Sequence, residues 1–277
     1  METRSIVTAN HATRTAEAEA AFLLPRLKPH FHILDLGCGP GTITTGLARY
    51  VPQGSITGVD LTPEVIAQAK ELASKKEGGA PPNLAFKTGN VLEGLEFEDA
   101  SFDVVWMSQV LVHVPEPVKA LREVRRVLKE GGFVADREGD WPFRFHPYLP
   151  GLQLKNKYMY DMVITRGASS SAHPDNAPFG DGHRSGSLIH VWAREAGFDP
   201  LKIEKGARVT LYSTPEERER YAGNLIARIE QGGHRQKYLD IGASKEEVDL
   251  MVSDLEKWRD DPDGVHYIVQ FEVVAFK

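Results

Sequence analysis

Across residues 33–138, short runs of adjacent apolar residues alternate with stretches whose apolar residues return every third or fourth position. The runs HILDLG, SITGVD, LAFKTG, FDVVWMS and GGFVADRE have the length of strands and the density expected of strands buried on both faces of a parallel sheet. The stretches between them predict helices. Thr62 stands as a cap before Pro63, with Val65, Ile66, Ala69 and Leu72 on one face. Val118, Leu121, Val124, Val127 and Leu128 form a second stripe, which Gly131 and Gly132 are expected to end. Strand and helix in regular alternation predict an α/β fold with a doubly wound sheet.

After Glu138 the rhythm changes. GDWPFRFHPYLPG and GASSSAHPDNAPFGDGHRSG are too rich in Pro, Gly, Ser and Asn for regular elements, and read as loops around one helix near 152–165. SLIHVWAREAGF resumes a helical pattern, and DPLKIEKGARVTLY is strand-like. Two helices then open with capping boxes, Thr214 with Glu217 and Ser244 with Glu247. The near-alternating VHYIVQFEVVAFK predicts a last strand that pairs antiparallel with the previous one and carries the two helices as an insertion.

Charge and cysteine content narrow the function. Thirty-three basic against 39 acidic residues give a formal charge of −6, so no basic field draws in a nucleic acid. The single cysteine, Cys38, excludes an internal disulfide and any Cys-rich metal site, and is read as a small packed residue. His146, His173, His183 and His190 lack paired metal-ligand spacing, so no metal is expected. No stretch has the apolar length of a membrane span, and METRSIVTANHATRTAEAEAAF lacks a signal-peptide core, which predicts a cytoplasmic protein.

The candidate chemistry gathers at strand ends. In ILDLGCGPGTIT, Gly37, Gly39 and Gly41 follow the first strand, but Thr42 stands where the dinucleotide fingerprint needs its last glycine. Glycines there allow positive φ and close approach of a ligand to the backbone, and the helix beginning near Thr42 offers unpaired N–H groups. Asp60 ends the second strand, placed to accept hydrogen bonds from both hydroxyls of an unphosphorylated ribose. Asn90 and Val91 follow the third strand, where the edge and face of a nucleobase would lie; an asparagine there equally shapes a turn.

In this order, ILDLGCGPG, GVDLTPEVI, TGNV, FDVVWMSQVLVHVPEP and ALREVRRVLKEGG resemble the class I S-adenosylmethionine-dependent methyltransferases, nearest the ubiquinone/menaquinone-biosynthesis subgroup. The resemblance covers about residues 14–138, with HVWAREAGF matching a weaker pattern. It implies a seven-stranded Rossmann-like sheet with a final antiparallel strand and helical or loop lid insertions. It also implies one domain over 1–277: an N-terminal helical cap at 1–30, a cofactor-binding core at 31–138, and substrate lids at 139–185 and 213–263. The cofactor implied is S-adenosyl-L-methionine. Asp35, Gly37, Gly39 and Gly41 would surround its methionine part, Asp60 its ribose, and Leu61, Asn90 and Val91 its adenine. Asn90 stands where many relatives carry Asp. Ser108 and Gln109 would lie along the methionine moiety facing substrate, and Arg14 would either clamp its carboxylate or face water.

The activity implied is methyl transfer to a small organic molecule at O, N, S or C by in-line displacement. His113 is the candidate general base, or else a packing histidine. Arg137, Glu138, Asp140 and Trp141 would line a substrate pocket, with structural ion pairs the alternative for Arg137 and Glu138, while Phe143, Phe145, Tyr158 and Tyr160 contact substrate or pack the lid. EERERY reads as a solvated helix face. The alternatives are a cofactor-binding regulatory protein of the same fold without turnover, and a nicotinamide-dependent dehydrogenase. The second lacks its glycine pattern and a Tyr/Lys pair.

Overall fold

Adjacent residues of the first apolar run face opposite ways, and the fold is built around that alternation. The computed structural model describes residues 14–140, 143–165 and 185–277. In β1 (His32–Leu36), Ile33 packs into a cluster with Ala16 and Ala20 of the N-terminal segment and Leu47 of α2 (Thr42–Ala48), while Leu34 and Leu36 join a cluster on the other face. That second cluster holds Leu121 and Val124 of α4 (Pro117–Val127) and Ile189 and Trp192 of α6 (Ser185–Glu195). The N-terminal segment contains the one-turn helix α1 (Ala16–Glu19), whose Thr15 hydroxyl accepts from Ala18 N.

β1 pairs parallel with β2 (Ser55–Asp60) on one side and β4 (Phe102–Ser108) on the other, and β3 (Leu84–Thr88) extends the sheet beyond β2. β5 (Leu128–Gly139) runs parallel to β4. The last strand, β8 (Val265–Phe276), is antiparallel to β5 and also pairs antiparallel with β7 (Ile203–Tyr212) and the three-residue β6 (Arg144–His146). The order is β3-β2-β1-β4-β5-β8-β6, with β7 attached to β8. The chain leaves β1 toward β2 and later returns to β4 on its other side, so the strand order reverses beside β1. A crevice forms there, at the carboxyl ends of the strands.

Both predicted capping boxes are present, at the starts of α7 (Pro215–Glu230) and α9 (Lys245–Asp260). With α5 (Pro150–Thr165) and α8 (His234–Asp240) these helices enclose a separate core containing Leu152, Ala222, Val248, Met251, Leu255 and Trp258.

Several local expectations give way to tertiary contacts. Thr62 precedes α3 (Pro63–Ser74) at the cap position, but its hydroxyl makes no cap bond. Gly131 and Gly132 do not end α4: Leu128 already leaves the helix with extended backbone angles and pairs with Phe102. The glycines lie instead where the β4–β5 register shifts, Gly131 at φ +77°. β3 is an edge strand with only Phe86 buried, not a strand covered on both faces. The loop region carries β6, and the insertion holds α8 besides the two capped helices. EERERY is a solvated face only in part: Glu216, Glu219 and Arg220 are exposed, but Arg218 is buried and donates to the carbonyls of Ser213 and Arg259, and the Tyr221 ring lies 4.5 Å from that of buried His266.

Leu121, on the inner face of α4, is fully buried in the main core, and Leu201 is 93% exposed. Leu121→Ala is expected to cost about 2–5 kcal/mol of stability, and Leu201→Ala less than about 0.5 kcal/mol, as measured by urea unfolding; equal costs would contradict this packing.

Candidate functional site

All three glycines of the loop after β1 hold positive φ, at +72°, +53° and +74° for Gly37, Gly39 and Gly41. The N–H groups of Gly37 and Cys38 both donate to Val59 O, at 2.7 and 3.0 Å, which folds the loop back onto β2. The Asp60 carboxylate completes the link, accepting from Gly39 N at 2.9 Å and Leu61 N at 2.8 Å. A Cβ on Gly37 would strike Val110 and one on Gly41 would strike Phe86, so these two are glycine for packing as well as for φ. A Cβ on Gly39 would meet nothing within 4 Å, so there the backbone itself borders open space.

Below the loop, Asp35 is buried and accepts from the Thr44 hydroxyl at 2.7 Å. Burial raises its pKa to about 7 against that hydrogen bond, and the charge of Asp60 adds to the rise. Burial, with Asp35 and Asp60 nearby, also pushes the Cys38 thiol far up, so it stays protonated and is no nucleophile.

A cavity of about 180 Å³ lies between this loop and the end of β4. Of the candidate residues, Arg14, Asp35, Gly37, Gly39, Ser108, Gln109 and His113 share its walls, with Cys38, Ile43 and Trp106. Arg14 does not simply face water: it donates to Ser108 Oγ at 2.8 Å and Glu19 at 2.7 Å. Gln109 holds φ +59°, unusual for a side-chain-bearing residue, with its N–H on Arg137 O and its amide on Gln270 Oε1 at 2.7 Å. Gly41, Asp60, Leu61, Asn90 and Val91 are not in these walls. Asp60 and Leu61 follow the cradle outward along the sheet edge, Leu61 being 61% exposed. Val91 packs into the main core, and Asn90 Oδ1 accepts from Leu92 N at 3.0 Å, which shapes a turn.

The residues ending β5 are structural. Glu138 is fully buried and accepts from Val110 N at 2.6 Å and Leu111 N at 2.7 Å, fixing the turn that carries His113. Asp136 is equally buried, and neither of its oxygens has a hydrogen-bond partner among the described residues. Burial raises both pKa values and the charge of Glu138 raises that of Asp136 further, with Glu138 reaching about 7. Arg137 is buried in an ion pair with Glu19 and donates to Thr210 Oγ1 at 3.0 Å. Neither Arg137 nor Glu138 lines a described cavity, and Asp140 accepts from Ser187 N. Trp141, His173, His183 and the side chain of Tyr160 lie outside the described residues.

A larger cavity, about 450 Å³, shares Arg14 and Gln109 with the first and opens between the sheet and the helical insertion. Phe143, Tyr212 and Tyr221 supply aromatic walls. Phe145 does not line it but stacks on His266 at 4.1 Å, and the Tyr158 hydroxyl bonds Glu247, so both are packing residues. Burial lowers the His266 pKa to about 3, and its Nδ1 lies 2.9 Å from Arg144 O, so the ring is neutral. Lys155, also lining this cavity, went unnoticed in the sequence. Its signal was the spacing of Leu152, Lys155, Asn156 and Met159, which puts a lysine into an otherwise inward stripe. Among the described residues no group of His, Cys, Asp and Glu is spaced to hold a metal, and no helix is long and apolar enough to cross a membrane.

A family model described as a methyltransferase domain matches residues 27–168. The probable methyltransferase ltbC of Aspergillus luteorubrus is 32% identical over 96% of this chain and 92% of that protein. Demethylmenaquinone methyltransferase of Staphylococcus aureus is 38% identical over 110 residues, 39% of this chain and 43% of that protein. A SAM-dependent methyltransferase structure from Methanosarcina mazei superposes with a TM-score of 0.53, at 22% identity, over 92% of this chain and 96% of that one.

The raised Glu138 pKa sets a pH dependence. The folded chain keeps a proton that the unfolded chain has released, so Glu138 makes stability fall as pH rises from the ordinary carboxylate range toward about 7. Glu138→Gln keeps an acceptor for Val110 N and Leu111 N but cannot ionise. Urea unfolding at pH 5 and pH 7 is expected to show a smaller loss of stability in the variant; an unchanged slope would contradict the assignment.

Proposed function

The chain belongs to the class I S-adenosylmethionine-dependent methyltransferases, and on that premise we propose that it methylates a small organic acceptor, with the donor's methionine end in the smaller cavity and its nucleoside along the open edge at Asp60. The observation that carries this reading is the pair of adjoining cavities. One lies against a positive-φ glycine cradle tied to Asp60, the other against the lid, and Arg14 and Gln109 belong to both. The open space over Gly39, which any Cβ would begin to fill, fits a ligand laid against the backbone.

When bound, the cofactor supplies a methyl group on a positively charged sulfur, open to in-line displacement. The protein's part is alignment and exclusion of water. Asp60 has lone pairs beyond its two backbone bonds with which to accept from the ribose hydroxyls. Asn90, whose Oδ1 is engaged by Leu92 N, has its amide N–H groups left to offer at the base edge, with Leu61 exposed to cover a face of the base. Arg14 holds the carboxylate of the methionine part. Asp35, kept near neutral by burial, regains its charge opposite an ammonium. Ser108 and Gln109 flank the methionine moiety, Gln109 at the passage into the larger cavity. His113, on the smaller cavity's wall, takes the proton of an acceptor that arrives protonated. The described elements of the insertions, β6, α5 and α7 to α9, cover the acceptor, and the acidic chain favours a small molecule over a nucleic acid.

Calorimetry is expected to show binding of S-adenosylhomocysteine and none of NADH, with Asp60→Ala weakening the former about tenfold or more through lost charge-assisted hydrogen bonds. Unchanged affinity would remove Asp60 from the ribose. For an acceptor with a protonated nucleophile, His113→Ala is expected to slow single-turnover transfer about a hundredfold or more; full activity across pH 6–9 would end its role as base.

A further inference from the structure

Of the cations lining the larger cavity, Arg14 is paired with Glu19, whereas Lys155 and Arg228 each hold a buried nitrogen without a hydrogen-bond partner among the described residues, and the cavity's acids are already engaged. Glu19 is bound by Arg14 and Arg137, and Glu217 accepts from the N–H groups of Ser213 and Thr214 in its capping box. Lys155, by contrast, is 1% exposed, and its ammonium has no hydrogen-bond partner among the described residues. It lies over the rings of Phe143 and Phe145, with Nζ 5.9 and 5.6 Å from their centroids. Arg228, on α7, lines the same cavity with its Nε buried and unpartnered. Two cationic side chains on α5 and α7, near aromatic rings and without a counter-charge among the described residues, are unfavourable until an anion joins them.

Building on the reading that the donor occupies the smaller cavity, we propose that the larger cavity takes an acceptor with a flat aromatic body bearing an oxyanion, a carboxylate or phenolate, held by Lys155 and Arg228. Tyr212 and Tyr221 supply faces for such a ring. Anchoring the oxyanion on the wall made by α5 and α7 leaves the rest of the acceptor to reach the wall of Arg14 and Gln109, next to the donor. The charge state of Lys155 agrees with this arrangement. Burial, followed by the charge of Arg228, lowers its pKa to about 7, and an arriving anion restores the proton. The other ionisable groups lining the cavity are Arg220, Glu217 and Tyr221 from α7, Tyr212 from β7, and Arg14 and Glu19 from the N-terminal segment, and neutral His266 of β8 lies near Lys155.

The test uses the full chain saturated with S-adenosylhomocysteine, with 1-hydroxy-2-naphthoate and its neutral amide as probes in calorimetry at pH 8. The naphthoate is expected to bind about tenfold or more tightly than the amide, with proton uptake seen as a buffer-dependent enthalpy. Lys155→Met is expected to diminish the preference severalfold and to abolish the uptake while S-adenosylhomocysteine affinity stays within about twofold. Lys155→Arg is expected to retain the preference. Equal affinity for the two probes, no detectable binding of the naphthoate, or an undiminished preference in Lys155→Met overturns the proposal. Failure of S-adenosylhomocysteine to bind overturns the donor reading itself, whereas normal binding of it without anion preference overturns this inference alone.

Discussion

Parallel strands covered on both faces leave the chain only the ends of the sheet for polar work, and everything functional in this protein follows from that constraint. β1 is buried between β2 and β4, with α1 and α2 on one face and α4 and α6 on the other. The polar residues Asp35, Asp60 and Ser108 therefore come at or near the carboxyl end of their strands, and the reversal of strand order opens the crevice beside them. Hydrogen bonds then tie the loops together. Asp60 holds the glycine loop, Glu138 holds the turn after β4, and Arg14 brings the N-terminal segment to Ser108.

The two cores divide the labour. The sheet and its helices form a rigid platform whose buried acids, Asp136 and Glu138, are driven toward neutrality and serve structure. The insertion encloses its own apolar cluster and turns aromatic and cationic side chains toward the space above the platform. The proposed methyl transfer would use such a division, the constant donor lying against backbone and strand ends and the acceptor being selected by the chemistry that the insertion presents. Arg14 and Gln109, shared by both cavities, are where the two halves meet. The unusual backbone of Gln109 is held there by bonds to both β5 and β8.

Short-range rules made much of this legible. Five strands, the glycine loop, both capping boxes and the antiparallel last strand could be read because each depends on periodicity or dihedral demands within a few residues. The candidate donor residues could be listed for the same reason, since strand ends are visible in sequence. Their grouping could not: seven of them wall one cavity, while Asn90 serves a turn and Val91 the core.

By itself, then, the sequence determined the α/β core, its strand ends and the glycine loop, all of which are written in local pattern and backbone geometry. Tertiary structure alone decided the fate of side chains whose partners are distant in the chain. Leu128 left its helix to pair with Phe102, Arg218 was buried against carbonyls from Ser213 and Arg259, and Glu138 bonded backbone 27 and 28 residues earlier. Lys155 and Lys157, two positions apart, show the principle most plainly. Lys157 pairs with Asp161 on the exposed face of α5, and Lys155 lies buried beside two aromatic rings. A helix turns by about 100° per residue, so the same residue type takes opposite roles, and only the packing of α5 against the rest of the fold selects which.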